Sequence, residues 1–378
     1  MSRQDSISIT FAGAGDPLPH VRVAREPLFD IAKLIVMLFV VRGHLYSQLM
    51  QGSPPPTILT NIYALTGMPL YFMISGYFAY KHLSDYGELL LKSVMLVWPL
   101  FSFGVVFCVV EMLTGNPSFS GLKELFFPIW RVSAGSWFLR TLANLFLLTA
   151  LIMWLSPRRL RGFFIVVSYL AMFFCSKVHG MWAGFIVHMG PHFLFGLIVL
   201  SKIKLYKSNI VGIICGCICV AVSILCADIS RSDLSWYHGL SNWRVFVDAR
   251  ELSLLFLRTG LGISGAVFIL WGVDKLVHCR LLMSLIRMIS PFGTTTLGIY
   301  VIHEWPLMFL HKNYLKSPLE GWLAWPLALI LFLGCHYLTL MIRRNLMVSR
   351  FFFLDKSFIM RLWEGVISCL NPSKISGH

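Results

Sequence analysis

Lys33 and His44 are the residues whose types and spacing first suggest chemistry. An imidazole titrates near neutrality and can take a proton from a hydroxyl. A cation eleven residues earlier can hold a phosphate or pair with Asp30. At about 100° per residue, eleven positions make three turns plus roughly 20°, so Lys33 and His44 share a helix face about 16 Å apart. Asp30, three positions before Lys33, falls near the same stripe, where a local ion pair can form. Arg42 falls on the opposite side. All four lie in the apolar stretch Leu28–Met50, about one bilayer in length. Ionisable groups in hydrocarbon cost about 2.5–3.5 kcal/mol each, so a helix that carries them on one face generally uses them. The competing reading is a snorkelling lysine and a histidine hydrogen-bonded inside a bundle.

A second group follows late in the chain, in Leu297-Gly-Ile-Tyr-Val-Ile-His-Glu304. Tyr300 and His303 are three apart and share a face, with Glu304 on that side. A Glu beside a His can orient it or raise its basicity. The helix order predicts that His303 reaches the depth of His44. Four weaker motifs add candidates. In Phe72-Met-Ile-Ser-Gly-Tyr77, Gly76 permits close backbone approach, Ser75 can bond a neighbouring helix and Tyr77 has a polar tip. Lys92 can meet phosphates at a membrane surface or act as an ordinary anchor, and Pro99 predicts a kink. In Ser136-Trp-Phe-Leu-Arg140, Trp137 reads by default as an interfacial anchor. Arg140 can clamp an anionic or sugar substrate, pair with Glu111 or snorkel outward. His188 and His192 have a metal-compatible i, i+4 spacing, but Pro191 interrupts them and no acidic third ligand is near. No metal is expected there or elsewhere.

These motifs must be positioned by membrane helices. The chain is 57% hydrophobic and 13% charged, with mean hydropathy +0.73. About 25% charged is usual for a soluble domain, so the composition predicts an all-α, polytopic membrane protein. Apolar runs of membrane length recur ten times, at about 28–50, 57–80, 88–113, 136–156, 161–178, 182–201, 208–228, 251–272, 289–310 and 322–342. With the N-terminus inside, 20 of the 32 Lys and Arg residues fall in cytoplasmic segments and 8 in outer ones. The other four, Lys33, Arg42, Arg140 and Arg258, lie within helices. That bias predicts both termini in the cytoplasm, Lys33 towards the inside and His44 towards the outside. It also explains the net charge of +15 without nucleic acid. The nine Cys residues read as small buried hydrophobes. The expected organisation is a flexible cytoplasmic arm over 1–27 without a cleavable signal, a ten-helix membrane domain over 28–342, and a basic tail over 343–378. The tail's Phe351, Phe352 and Phe353 suit an anionic leaflet.

Taken in order, Arg25…Asp30-x2-Lys33-x10-His44, Phe72…Ile-Ser-Gly-Tyr77, Lys92…Pro99, Trp137-Phe-Leu and Gly298-Ile-Tyr300-x2-His303 resemble the integral-membrane acyltransferase-3 family. The resemblance spans about residues 25–342. It implies about ten helices and transfer of an acyl group, usually acetyl, from cytoplasmic acyl-CoA to a hydroxyl of a lipid-linked or exported sugar. It also implies that Lys33 and His44 form the family's Arg/Lys-x10-His pair, whose histidine is thought essential. Lys33 stands where many members carry Arg; a lysine is a point charge rather than a fork. The stand-alone form resembles O-antigen and other polysaccharide O-acetylases and the periplasmic-glucan succinyl transferases.

The expected protein is thus a multi-pass enzyme of the bacterial inner membrane. Acetyl-CoA is the expected donor substrate, with succinyl transfer the alternative within the same chemistry, and no cofactor is expected to be permanently bound. His44, Lys33, Asp30, Tyr300 and His303 are the expected catalytic group. Arg140, Trp137, Ser75, Tyr77, Glu304 and Lys92 are the expected substrate-binding group. The rival class is a transporter or flippase for a glycan or its precursor, which polytopic helices and intramembrane charges also fit; no repeated pair of broken helices supports it.

Overall fold

A backbone in hydrocarbon must satisfy every N–H and C=O within its own segment, and an apolar run does so as a helix. A computed structural model describes residues 26–50, 58–83, 85–113, 137–174, 181–225, 249–304, 306–307, 310, 319–354 and 359. Among them there is no strand, and each of the ten apolar stretches carries helix. The arm over residues 1–25, the loops over 114–136 and 226–248, Trp305, the side chain of Glu111 and nearly all of the tail beyond 354 lie outside the described residues.

The helices that matter for the site are α1 (Pro27–Leu49), α2 (Ile58–Tyr80), α3 (Tyr86–Leu113), α4 (Trp137–Leu155), α5 (Arg161–Phe174), α6 (Met181–Phe195), α7 (Asn209–Leu225), α8 (Ala249–His278), α9 (Met283–Ile289), α10 (Thr296–Ile302), α11 (Ala324–Arg344) and α12 (Leu346–Phe352). Five described segments are long and apolar enough to cross a membrane: Tyr86–Val110, Trp137–Leu155, Phe256–His278, Arg280–Ile302 and Gly321–Arg344. The protein is a helical membrane protein.

The ninth stretch is not one regular α-helix: the end of α9 leads through a 3₁₀ turn over Ser290–Thr295 into α10. Pro291 cannot supply a helical N–H. Gly293 sits so close to the Asp30 carbonyl that an added methyl group would overlap it. The break therefore lets the chain pack directly on α1.

α1 is the centre of the bundle, packed against α2, α8, α10, α11 and the Ser290–Thr295 turn. Pro27 suits its first turn, where its missing donor costs nothing. Phe29, Met37 and Leu45 are fully buried along it. Both ends are tied. At the first, Glu26 meets the Tyr77 hydroxyl at 3.3 Å and the Lys81 ammonium at 3.6 Å. At the second, the Tyr46 hydroxyl donates to the Gly321 carbonyl (2.8 Å) and the Leu319 amide to the Leu49 carbonyl (3.0 Å).

α2 crosses α6 and its continuation Gly196–Leu200 closely. A methyl group on Gly76 would strike the Phe193 carbonyl, and one on Gly196 the Met73 carbonyl. Small residues allow this contact where no hydrophobic drive separates helix from lipid. α12 folds back onto α3: the Trp98 indole donates to the Phe351 carbonyl (2.7 Å), and the Phe103 and Phe352 rings lie 4.4 Å apart. Of the aromatic run expected at a leaflet, Phe352 and Phe353 pack in part against the protein, and Phe351 is exposed.

Candidate active site

His44 lies near the second end of α1, and α10 brings His303 and Glu304 to it. The His44 Nδ1 is 3.1 Å from a Glu304 carboxylate oxygen. A carboxylate accepts, so Nδ1 carries the hydrogen and Nε2 carries the lone pair. The local sequence suggested that Glu304 serves its neighbour His303. Adjacent residues on a helix point about 100° apart, however, and Glu304 faces His44 instead.

The two imidazole rings are 5.0 Å apart and nearly perpendicular. His303 is fully buried. Its Nδ1 lies 3.0 Å from the Ile299 carbonyl and 2.8 Å from the Tyr300 carbonyl. Both partners accept, so this ring too carries its hydrogen on Nδ1, which leaves Nε2 as a lone pair. Among the described residues, that Nε2 has no hydrogen-bond partner.

From the histidines a line of rings leads back along α1. Tyr300 is 5.8 Å from His303 and 5.1 Å from Phe138. Phe138 is 5.3 Å from Tyr71, whose hydroxyl donates to the Lys33 carbonyl (2.7 Å). Arg140 is buried one turn beyond Trp137, within electrostatic reach of Tyr300. Lys33 pairs with Asp30 at 2.8 Å, and both side chains remain partly open. The 30–33 pair thus forms as its spacing predicts, and Lys33 and the histidines sit at two depths of one polar, aromatic-lined strip.

The structure gathers His44, His303, Glu304, Tyr300 and Arg140, and connects them to Lys33 and Asp30. It places the other candidates elsewhere. Trp137 is buried, its ring stacked 6.4 Å from Phe72 and beside Phe138. Tyr77 belongs to the Glu26 end of α1, far along the helix from His44. Ser75 is half-buried on α2. The Lys92 ammonium lies over the Phe146 ring of α4 at 5.9 Å. Arg42 sits between Tyr46 and Trp325, with its guanidinium carbon 4.9 and 4.6 Å from their centroids. That double cation–π contact explains an arginine on the face away from His44. The His192 Nδ1 turns to the His188 carbonyl (3.1 Å), one turn back on its own helix.

Residues 27–341 match the model of the acyltransferase-3 family, an acyltransferase domain. The chain belongs to the acyltransferase-3 family. No curated protein and no solved structure matches it. The match covers α1 to α11 almost completely, so every residue of the strip falls inside the acyltransferase domain. Tyr71 and Phe138, which join the two ends of the strip, were missed from sequence. The available signal was their position: Tyr71 immediately precedes the Phe72 motif, and Phe138 lies between two residues already singled out.

Proposed function

We propose that this acyltransferase moves an acetyl group from cytoplasmic acetyl-CoA to a hydroxyl of a surface or exported glycan, across a ten-helix domain in the bacterial inner membrane. The single observation that carries the reading is the His44–Glu304 pair, 3.1 Å apart within a family-matched acyltransferase domain. A carboxylate behind Nδ1 fixes the tautomer and stabilises the imidazolium that forms when Nε2 takes a proton.

The reaction follows from that arrangement. The donor thioester arrives along the strip from the Lys33 side, and the acceptor sugar enters from the His44 side. His44 Nε2 takes the proton of the sugar hydroxyl as its oxygen attacks the thioester carbonyl carbon. The tetrahedral intermediate collapses with cleavage of the C–S bond. The departing sulfur takes the proton from His44, which regenerates the base. Tyr300, buried beside His303, and Arg140, buried within electrostatic reach of Tyr300, supply a hydrogen-bond donor and positive charge to the acceptor or the developing oxyanion. The Asp30 carboxylate already neutralises the Lys33 ammonium, so Lys33 acts on the donor as half of an ion pair. Lys92 and basic residues of the loops hold the CoA phosphates.

The test is donor consumption. Membranes that hold the protein, given labelled acetyl-CoA and isolated glycan, should release CoA and label the glycan in equal amounts. Movement of unmodified glycan across the membrane, without CoA release, would identify a transporter instead.

A further inference from the structure

We infer that His44, His303 and Glu304 also form a zinc site, and that a bound Zn²⁺ switches the transferase off. Each residue offers one ligand atom, and the three atoms lie within 4.8 Å of one another. Two imidazoles and one carboxylate suit zinc, with a fourth position left for water. The ligands come from two elements held rigidly together: His44 from the central helix α1, and the other two from the end of α10.

A second, independent observation points to a ligand. The His303 ring is fully buried, its Nδ1 hydrogen is committed to the Ile299 and Tyr300 carbonyls, and its Nε2 has no partner among the described residues. A buried nitrogen lone pair left unsatisfied costs free energy. The backbone contacts that orient its ring are the kind that orient metal-bound histidines.

The geometry also bounds the affinity. Zinc–nitrogen bonds of about 2.0–2.1 Å place tetrahedral ligands about 3.3 Å apart. A set spread over as much as 4.8 Å must close by up to about 1.5 Å to bind. The side chains of His44 and Glu304 are 25% and 16% exposed and have room to move, whereas His303 is fixed. The site is therefore one that zinc enters and leaves, rather than a closed structural site.

The consequence for activity rests on the reading of His44 as the base. A metal on either nitrogen of the neutral His44 ring leaves the other nitrogen carrying the hydrogen, so no lone pair remains to accept the sugar proton, and Glu304 becomes a ligand instead of orienting the ring. Metal binding and base catalysis then exclude each other, and Zn²⁺ inhibits.

Binding is measured on the full-length protein purified in detergent, with Co²⁺ as the spectroscopic probe. One equivalent should give visible bands of tetrahedral intensity that Zn²⁺ abolishes. Glu304→Gln, which keeps the side-chain shape, and His303→Gln should each weaken binding at least about tenfold. In the unmodified protein, Zn²⁺ should protect the partly open His44 from diethylpyrocarbonate, as read by peptide mass spectrometry; that readout needs no variant to fold. In membranes, Zn²⁺ should inhibit acyl transfer and a chelator should restore it. Absence of the Co²⁺ bands, or modification of His44 undiminished by Zn²⁺, overturns the zinc site even if transfer is normal. Bands that respond to both substitutions in a metal-free protein that transfers nothing leave the site standing and remove the base mechanism instead.

Discussion

Replacing Glu304 by Gln tests the dyad with the smallest change in shape. Gln keeps the side-chain volume but removes the charge that faces the His44 Nδ1 at 3.1 Å. A hydrogen bond to a charged group is worth about 1.5–3 kcal/mol. This one is slightly longer than the usual charge-assisted distance of about 2.7–2.9 Å. Both partners also remain partly open to solvent. The lower part of the range, about 1.5–2 kcal/mol, is therefore the fair figure. At about 1.4 kcal/mol per tenfold, kcat should fall about 10- to 30-fold. KM for acetyl-CoA should stay within about twofold, because Glu304 touches the base and not the donor. The assay is initial-rate transfer of labelled acetyl in membranes, normalised to the amount of inserted protein. Glu304→Asp, which keeps the charge on a shorter arm, should recover part of the loss. Wild-type kcat in Glu304→Gln, at equal protein level, would mean that the carboxylate does not support His44 in the reaction.

Other substitutions separate packing from chemistry. Gly76→Val forces a branched side chain into the Phe193 backbone and should cost about 1–3 kcal/mol of stability, seen as lower folded yield and melting temperature in detergent. Arg42→Lys replaces a planar cation between Tyr46 and Trp325 by a point charge; stability should fall by about 0.5–2 kcal/mol while activity per folded molecule is kept. Asp30→Asn leaves the Lys33 ammonium without its 2.8 Å partner, so transfer rate and KM for the donor should both change, read by varying acetyl-CoA at saturating acceptor.

Much of this site was legible in the sequence because its first half lies on one helix. The spacing of Asp30, Lys33 and His44 fixes their common face by helix geometry alone, and the 30–33 ion pair forms accordingly. The second half required two helices to meet. Periodicity placed Tyr300 and His303 on one side and at the right depth, and their rings do lie beside each other and beside His44. It could not say which imidazole Glu304 would face, since that depends on how α10 is rotated against α1. The rotation is set by the Ser290–Thr295 turn and by Gly293 on the Asp30 backbone, contacts between residues far apart in sequence. The neighbours of Trp137 were beyond spacing for a related reason: its ring packs beside Phe72, on another helix, as well as beside Phe138. Arg42 was correctly set apart from His44, yet its partner Trp325 lies on α11 and could not be named from spacing.

The most direct measurement is glycan acetylation in a strain whose only copy of this protein carries His44→Ala. Mass spectrometry of the surface and exported glycans should show acetyl groups with the wild-type protein and none with the variant. Immunoblots of isolated membranes should show equal amounts of both. Acetylation retained in His44→Ala would contradict the central role given to this residue.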